Sequence, residues 1–192
     1  ARFDRTAAPG LPSRRRISDL DIERNFSITE ECLLMPTLEC SIVEVCVFCF
    51  SDDAPKYLLL RRSKSDRIYP NTWQMVSGSI EGNETALQAS IRELKEETGF
   101  VPQKFWLVPH MNTFLNPKRD VVHISAVFSA EVSAGSQPLL SKEHYQYEWC
   151  SWERAKQLLV WPGQVQALNI VHEYIVQGRL ASFLTDIPKD LW

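Results

Sequence analysis

The segment from Gly78 to Phe100 constrains this chain more than any other. It reads Gly78-Ser-Ile-Glu-Gly-Asn-Glu84-Thr-Ala-Leu-Gln-Ala-Ser-Ile-Arg92-Glu93-Leu94-Lys-Glu96-Glu97-Thr-Gly99-Phe100. The spacing predicts a helix over Asn83–Thr98, with Asn83 as N-cap, Glu84 in the first turn and Gly99 as the stop. Leu87, Ile91 and Leu94 make one apolar stripe that must pack on a core. Glu93, Glu96 and Glu97 share a different face, centred roughly 130° from that stripe at about 100° per residue. Like charges at this spacing cost a few tenths of a kcal/mol each. Hard oxygen ligands gathered this way suit Mg²⁺ or Mn²⁺, although three glutamates on an exposed helix are also the pattern of a plain solvated face.

Around this segment the signals are those of one globular domain. Ser41–Phe50 and Lys56–Arg62 read as strands joined by a turn over Ser51–Pro55. Trp73–Ser79, Lys104–Leu107, Val121–Val132 and Tyr147–Trp152 read as further strands, and Trp152–Val160 and Gln164–Gln177 as helices. In the last helix Leu168, Val171 and Ile175 repeat on one face, and Gly178 is placed as its stop. Strands without regular crossover helices between them predict an α/β fold with a mixed sheet and helices on its faces.

The domain is expected over 33–178, preceded by an extension over 1–32 and followed by a tail over 179–192. The first 18 residues hold Arg2, Arg5, Arg14, Arg15 and Arg16 and no Glu, with Pro9 and Pro12 opposing a long helix. Three readings of the extension stand together: a flexible arm, a targeting remnant, or residues added by cloning. Val45–Phe50 is the longest apolar stretch, far short of the ~20 residues a membrane helix needs. A soluble intracellular protein is expected, cytoplasmic or, if the arm is a targeting remnant, in the mitochondrial matrix.

With 21 basic and 24 acidic residues the net charge is −3. That balance offers no bulk attraction to nucleic acid or anionic membrane, so a polyphosphate ligand would need a local device, and a divalent cation is the natural one. Cys46 and Cys49 form a CxxC inside an apolar run. On a strand that spacing sends the thiols to opposite faces, which predicts buried free cysteines rather than a zinc or redox pair. His110, His123, His144 and His172 show no ligand spacing and read as structural or surface residues.

The segment resembles the Nudix box, G-x5-E-x7-R-E-U-x-E-E-x-G-U, where U is aliphatic or aromatic. It matches at Gly78, Glu84, Arg92, Glu93, Leu94, Glu96, Glu97, Gly99 and Phe100 without departure. At ~7% usage per residue type, seven fixed positions coincide by chance on the order of 10⁻⁸ times per start point. The resemblance implies an α/β/α sandwich around a mixed sheet and a Mg²⁺-dependent hydrolase of phosphoanhydride bonds. It implies Glu93 and Glu97 as metal ligands, Glu96 as a further ligand or base, and the Gly78 carbonyl in the shell. Arg92 would pair with Glu84 to hold the loop–helix–loop that Gly99 closes.

The flanks, among them Leu58–Arg62, Asn71–Gly78, Ser141–His144 and Leu159–Gln164, resemble the dihydroneopterin triphosphate and dATP pyrophosphatase group. That implies hydrolysis of a nucleoside or pterin triphosphate to monophosphate and pyrophosphate. The alternatives are an RNA 5′-pyrophosphohydrolase, a dinucleoside polyphosphate hydrolase, or, from another class, a structural or RNA-binding subunit of a mitochondrial ribonucleoprotein assembly. Arg61 and Arg62 are candidate phosphate grips, but on a strand they point to opposite faces, so at most one serves. Trp73 reads either as a ring that stacks on the substrate or as core. By the resemblance, Glu143 is an acidic residue supplied from a loop outside the box, as base or ligand.

Overall fold

The computed structural model describes residues 36–67, 69–178 and 185–192; the extension expected over 1–32 lies outside them. Seven strands form one sheet: β1 (Thr37–Ser51), β2 (Ala54–Arg62), β3 (Trp73–Gln74), β4 (Val76–Ser79), β5 (Lys104–Asn116), β6 (Val121–Glu131) and β7 (His144–Cys150). The helices are α1 (Ala86–Thr98), α2 (Trp152–Leu158) and α3 (Pro162–Ile170). The main path runs β3-β2-β1-β6-β5, with β4 on β1 and β7 on β2. Among the described strands β1 and β6 pair in parallel and the other strand pairs are antiparallel. The sheet is therefore mixed, as expected.

The β1–β2 turn is tighter than the five residues expected. Ser51 pairs with Ala54, leaving Asp52 and Asp53 at φ 50° and 60°, the left-handed pair that a two-residue hairpin with native twist requires. β2 accompanies β1 only as far as Tyr57↔Phe48, then pairs with β3 at Leu60 and Arg61. β4 takes the vacated edge of β1, with Val43 opposite Gly78 and Glu44 opposite Ser77. The single strand expected over Trp73–Ser79 is thus broken at Met75, because its two halves serve different partners. β5 continues well past Leu107, through a register shift at residues 108–110 where Pro109 interrupts the ladder.

The alternation of β1 separates two cores. Cys46 and Phe48 pack with Tyr57, Leu59, Met75 and the buried residues of α2 and α3, Ala155, Ala167 and Leu168. Val43, Val45, Val47 and Cys49 pack with Leu58, Leu60 and the α1 residues Ala89 and Leu94. Each Val or Leu so buried contributes roughly 1.5–3 kcal/mol. Cys46 and Cys49 thus lie on opposite faces, and burial pushes both thiols up.

α1 starts later than its sequence suggests. Thr85, not Asn83, is the cap: its hydroxyl accepts from the Gln88 N–H while the Gln88 side chain accepts from the Thr85 N–H. Glu84 therefore belongs to the preceding loop. Gly99 ends the helix at φ 72°, as read. The buried face is Ala89, Ser90, Leu94, Glu97 and Thr98, while Leu87 and Ile91 are only partly covered. α3 gives way after Ile170 to a π-helical turn over Val171–Val176, and Gly178 follows at φ 66°. The segment 185–192, expected as a tail, returns to the sheet: Ile187 N donates to Phe105 O at 2.8 Å and the Trp192 ring lies 6.0 Å from that of Phe105. Among the described residues no helix is long and apolar enough to cross a membrane.

Candidate active site

Arg92 organises the loop–helix–loop, and its five N–H groups are all engaged. Nε and Nη2 donate to the two oxygens of Glu84 at 3.1 and 2.6 Å, and Nη2 also to the Ser79 carbonyl at 2.8 Å. Nη1 donates to Glu93 at 2.8 Å and Glu96 at 3.1 Å. Glu84 accepts in addition from the Glu81 backbone N–H at 2.7 Å, and the Arg92 fork together with this bond holds its carboxyl below the usual range. A planar fork shared among three carboxylates fixes the end of β4 against the helix more firmly than a point charge could.

The carboxylates of α1 divide into three situations. Glu93 sits so close over Gly78 that a Cβ there would lie 1.9 Å from its carboxyl carbon and from Oε1; only a glycine leaves this space. Burial raises the Glu93 pKa, Arg92 pulls it back, and Glu96 and Glu143 push it up again. Glu97 is 3% exposed, and among the described residues neither of its oxygens has a well-formed hydrogen bond, the Ser77 backbone being the one polar group that bears on it. Burial first, then the charges of Glu93 and Glu143, hold it well above the usual carboxylate range, against the Ser77 backbone and Arg62. Glu96 is turned outward and bonded to Arg92.

A buried carboxylate with no well-formed hydrogen bond is a costly arrangement in a folded chain. A divalent cation at Glu93 and Glu97 removes that cost, so the donor set fits a hard metal. Among the described residues no group of three His, Cys, Asp or Glu side chains is already gathered as a metal cage. Glu143, placed by sequence outside the box, acts electrostatically on both Glu93 and Glu97, and its carbonyl accepts from Ser63 N at 2.7 Å.

The two arginines of β2 part as alternation requires. Arg62 bonds Asp66 and bears on Glu97, and its buried Nε has no partner among the described residues. Arg61 lies across aromatic rings, 5.5 Å from Trp73 and 5.6 Å from Tyr145. Trp73 is only 9% exposed and belongs to the core beside Met75 and Leu159, so of its two readings the structure gives core. Sequence does not show that Trp73 bridges to Leu159 just past α2 and joins the cluster that holds Ala155.

Of the two readings of His144, structural or surface, the structure gives the first, and two further features were not read from sequence. His144 is buried, faces the Gln74 amide at 3.3 Å, and has its pKa lowered to about 4, chiefly by burial and next by Arg62. Glu44, 5% exposed on the other face of β1, is met by Asn112 Nδ2 at 3.2 Å and Gln164 Nε2 at 3.5 Å. A charged residue in the middle of an apolar strand was the available signal for it. The second is a set of rings near Arg61: Tyr69, exposed on the β2–β3 loop, Tyr145, exposed on β7, and Trp161, half-buried just before α3.

Residues 41–170 match the NUDIX domain family. The chain belongs to the Nudix family, whose members generally use divalent metals. Among named proteins it is 29% identical over 160 residues to the m7GpppN-mRNA hydrolase NUDT17 of Xenopus laevis, covering 70% of this chain and 54% of that one. It is 44% identical over 55 residues to the dihydroneopterin triphosphate diphosphatase of Escherichia coli K12, covering 29% of this chain and 34% of the relative. The chain thus spans about half or less of these curated relatives. In fold it is similar to a C. elegans Ap4A hydrolase, with a TM-score of 0.60 at 20% identity over 71% of this chain and 97% of that one.

Proposed function

We propose that this chain is a Mg²⁺-dependent pyrophosphatase that splits a nucleoside or pterin triphosphate into monophosphate and pyrophosphate. The observation that carries the proposal is Glu97: a buried carboxylate with no well-formed hydrogen bond among the described residues, under the charges of Glu93 and Glu143, in a chain that keeps every fixed position of the box. A scaffold subunit would have no use for that arrangement. Glu93 and Glu97 would hold the metal, with Mn²⁺ an alternative to Mg²⁺. When bound, it supplies charge neutralisation to the phosphate oxygens and makes water a better nucleophile.

The chain's own residues do the rest. Arg92 keeps Glu93 in place, and Arg62, tied to Asp66, supplies positive charge on the side where it bears on Glu97. Glu143 takes the proton of the attacking water while the oxygen forms a bond to phosphorus, and the bridging P–O bond breaks to release pyrophosphate. Glu96, exposed and tied to Arg92, is the poorer candidate for base.

The similarity to NUDT17 favours a second reading, attack at the 5′ end of a capped or triphosphorylated RNA. One experiment ranks the two. GTP, dihydroneopterin triphosphate, a capped RNA and a 5′-triphosphorylated RNA are incubated with Mg²⁺ in ¹⁸O-labelled water. The proposal expects fastest release of unlabelled pyrophosphate from a small triphosphate, with label in the monophosphate; label only in orthophosphate, or turnover of RNA alone, contradicts it.

A further inference from the structure

The loop between β2 and β3 holds Tyr69 in an uncomfortable way. Its φ is 52°, followed by Asn71 at 65°. A bulky aromatic residue in the left-handed region is an outlier that a glycine or asparagine would occupy with less strain. The surroundings nevertheless fix it. Thr72 Oγ1 donates to the Tyr69 carbonyl at 2.7 Å, Arg61 Nε to the Asn71 carbonyl at 3.3 Å, and the Tyr145 hydroxyl to Asn71 Oδ1. The strain does not serve the core, since Tyr69 is 55% exposed. Its ring stands edge-on to Trp161, at the start of α3, with centroids 4.6 Å apart and planes at 70°.

Cations accompany the rings. Besides Arg61 between Trp73 and Tyr145, Lys64 Nζ lies 5.2 Å over the Tyr145 ring. Along the chain the group flanks the charged site: Arg61 is followed by Arg62, which bears on Glu97, and Tyr145 comes two residues after Glu143. Exposed π-faces with flanking cations take ligands that carry a planar ring and negative charge together.

From this we infer that Tyr69, braced by Trp161, stacks the planar heterocycle of the substrate, with Arg61 and Lys64 supplying positive charge beside it. The ligand chemistry is a purine or pterin ring on a polyphosphate, and the inference rests on the polyphosphate reading above. It moves the stacking role from Trp73, which is core, to a loop residue whose backbone strain has no other evident purpose.

Hydrolysis of GTP and dihydroneopterin triphosphate is compared with that of inorganic tripolyphosphate, which has no ring. Tyr69→Gly relieves the φ, so the melting temperature stays level or rises, while kcat/KM for the ring substrates relative to tripolyphosphate falls about tenfold; Tyr69→Trp restores the preference. The larger fall of the two names the ring. Binding is read separately as tryptophan quenching: GTP quenches the wild-type chain more than Trp161→Phe, and tripolyphosphate does not distinguish them. Quenching without turnover of any triphosphate sinks the hydrolase reading and leaves the stacking site. Turnover with an unchanged preference in Tyr69→Gly overturns the stacking site, as does the absence of quenching by GTP.

Discussion

The carboxylate of Glu93 occupies the space where Gly78 has no side chain: a Cβ on Gly78 would lie 1.9 Å from Oε1. Gly78→Ala therefore acts on Glu93. The neighbour is the end of a flexible side chain, so the fold can yield, but Arg92 holds that carboxylate at 2.8 Å and a displaced ligand binds metal poorly. The expected result is a fall in kcat of about 10²-fold, the scale of a misplaced catalytic group, with a rise in the Mg²⁺ concentration for half-activity and little change in melting temperature.

Arg92→Lys keeps the charge and loses the fork. One ammonium cannot serve Glu84, Glu93, Glu96 and the Ser79 carbonyl together. Loss of these half-buried, charge-assisted bonds is expected to cost about 1–3 kcal/mol of stability by chemical denaturation, and activity should fall with it.

The unequal legibility of these parts has physical causes. Gly99 is a local signal and the Glu84–Arg92 pair was implied by the resemblance, and the structure carries both. The cap falls at Thr85 although Asn83 is the better cap by residue type, because Gln88 three residues on returns the bond and completes a capping box. Glu97 was assigned to a polar face; tertiary packing buried it and left Ile91 partly open, which no single-helix pattern reveals. The break at Met75, the continuation of β5 past Pro109 and the strained Tyr69 all depend on which strand or ring lies opposite, information held far away in the chain.

His144 makes the protein acid-sensitive. Its pKa falls from the ordinary 6.5 to about 4 in the fold, with burial the first cause, Arg62 the second and Asp66 opposing. A depressed folded pKa contributes stability above pH 6.5 that is lost as pH drops toward 4, because the unfolded chain takes the proton first. Melting temperatures from pH 7.5 to 4 should fall more steeply in the wild type than in His144→Gln, which can still accept from Gln74. Parallel curves would contradict a neutral buried imidazole.

Glu143→Gln separates the base from the ligands. On the proposed reading Glu143 accepts the proton, and its loss should lower kcat by roughly 10²–10⁴ with Mg²⁺ dependence unchanged. Glu96→Gln should do much less, since that side chain is exposed and tied to Arg92.

The central claim is that Glu97 exists to hold a cation, and Glu97→Gln tests it most directly. Burial and its carboxylate neighbours hold Glu97 well above the usual range, so ionising it costs stability that is present at low pH and lost as pH rises. The amide is nearly isosteric and uncharged. In EDTA at pH 7.5 the variant should therefore melt at or above the wild type, while Mg²⁺ should stabilise the wild type far more than the variant and turnover should drop at least about 10²-fold. A variant with near-normal turnover, or one that Mg²⁺ stabilises as fully as the wild type, would contradict the account.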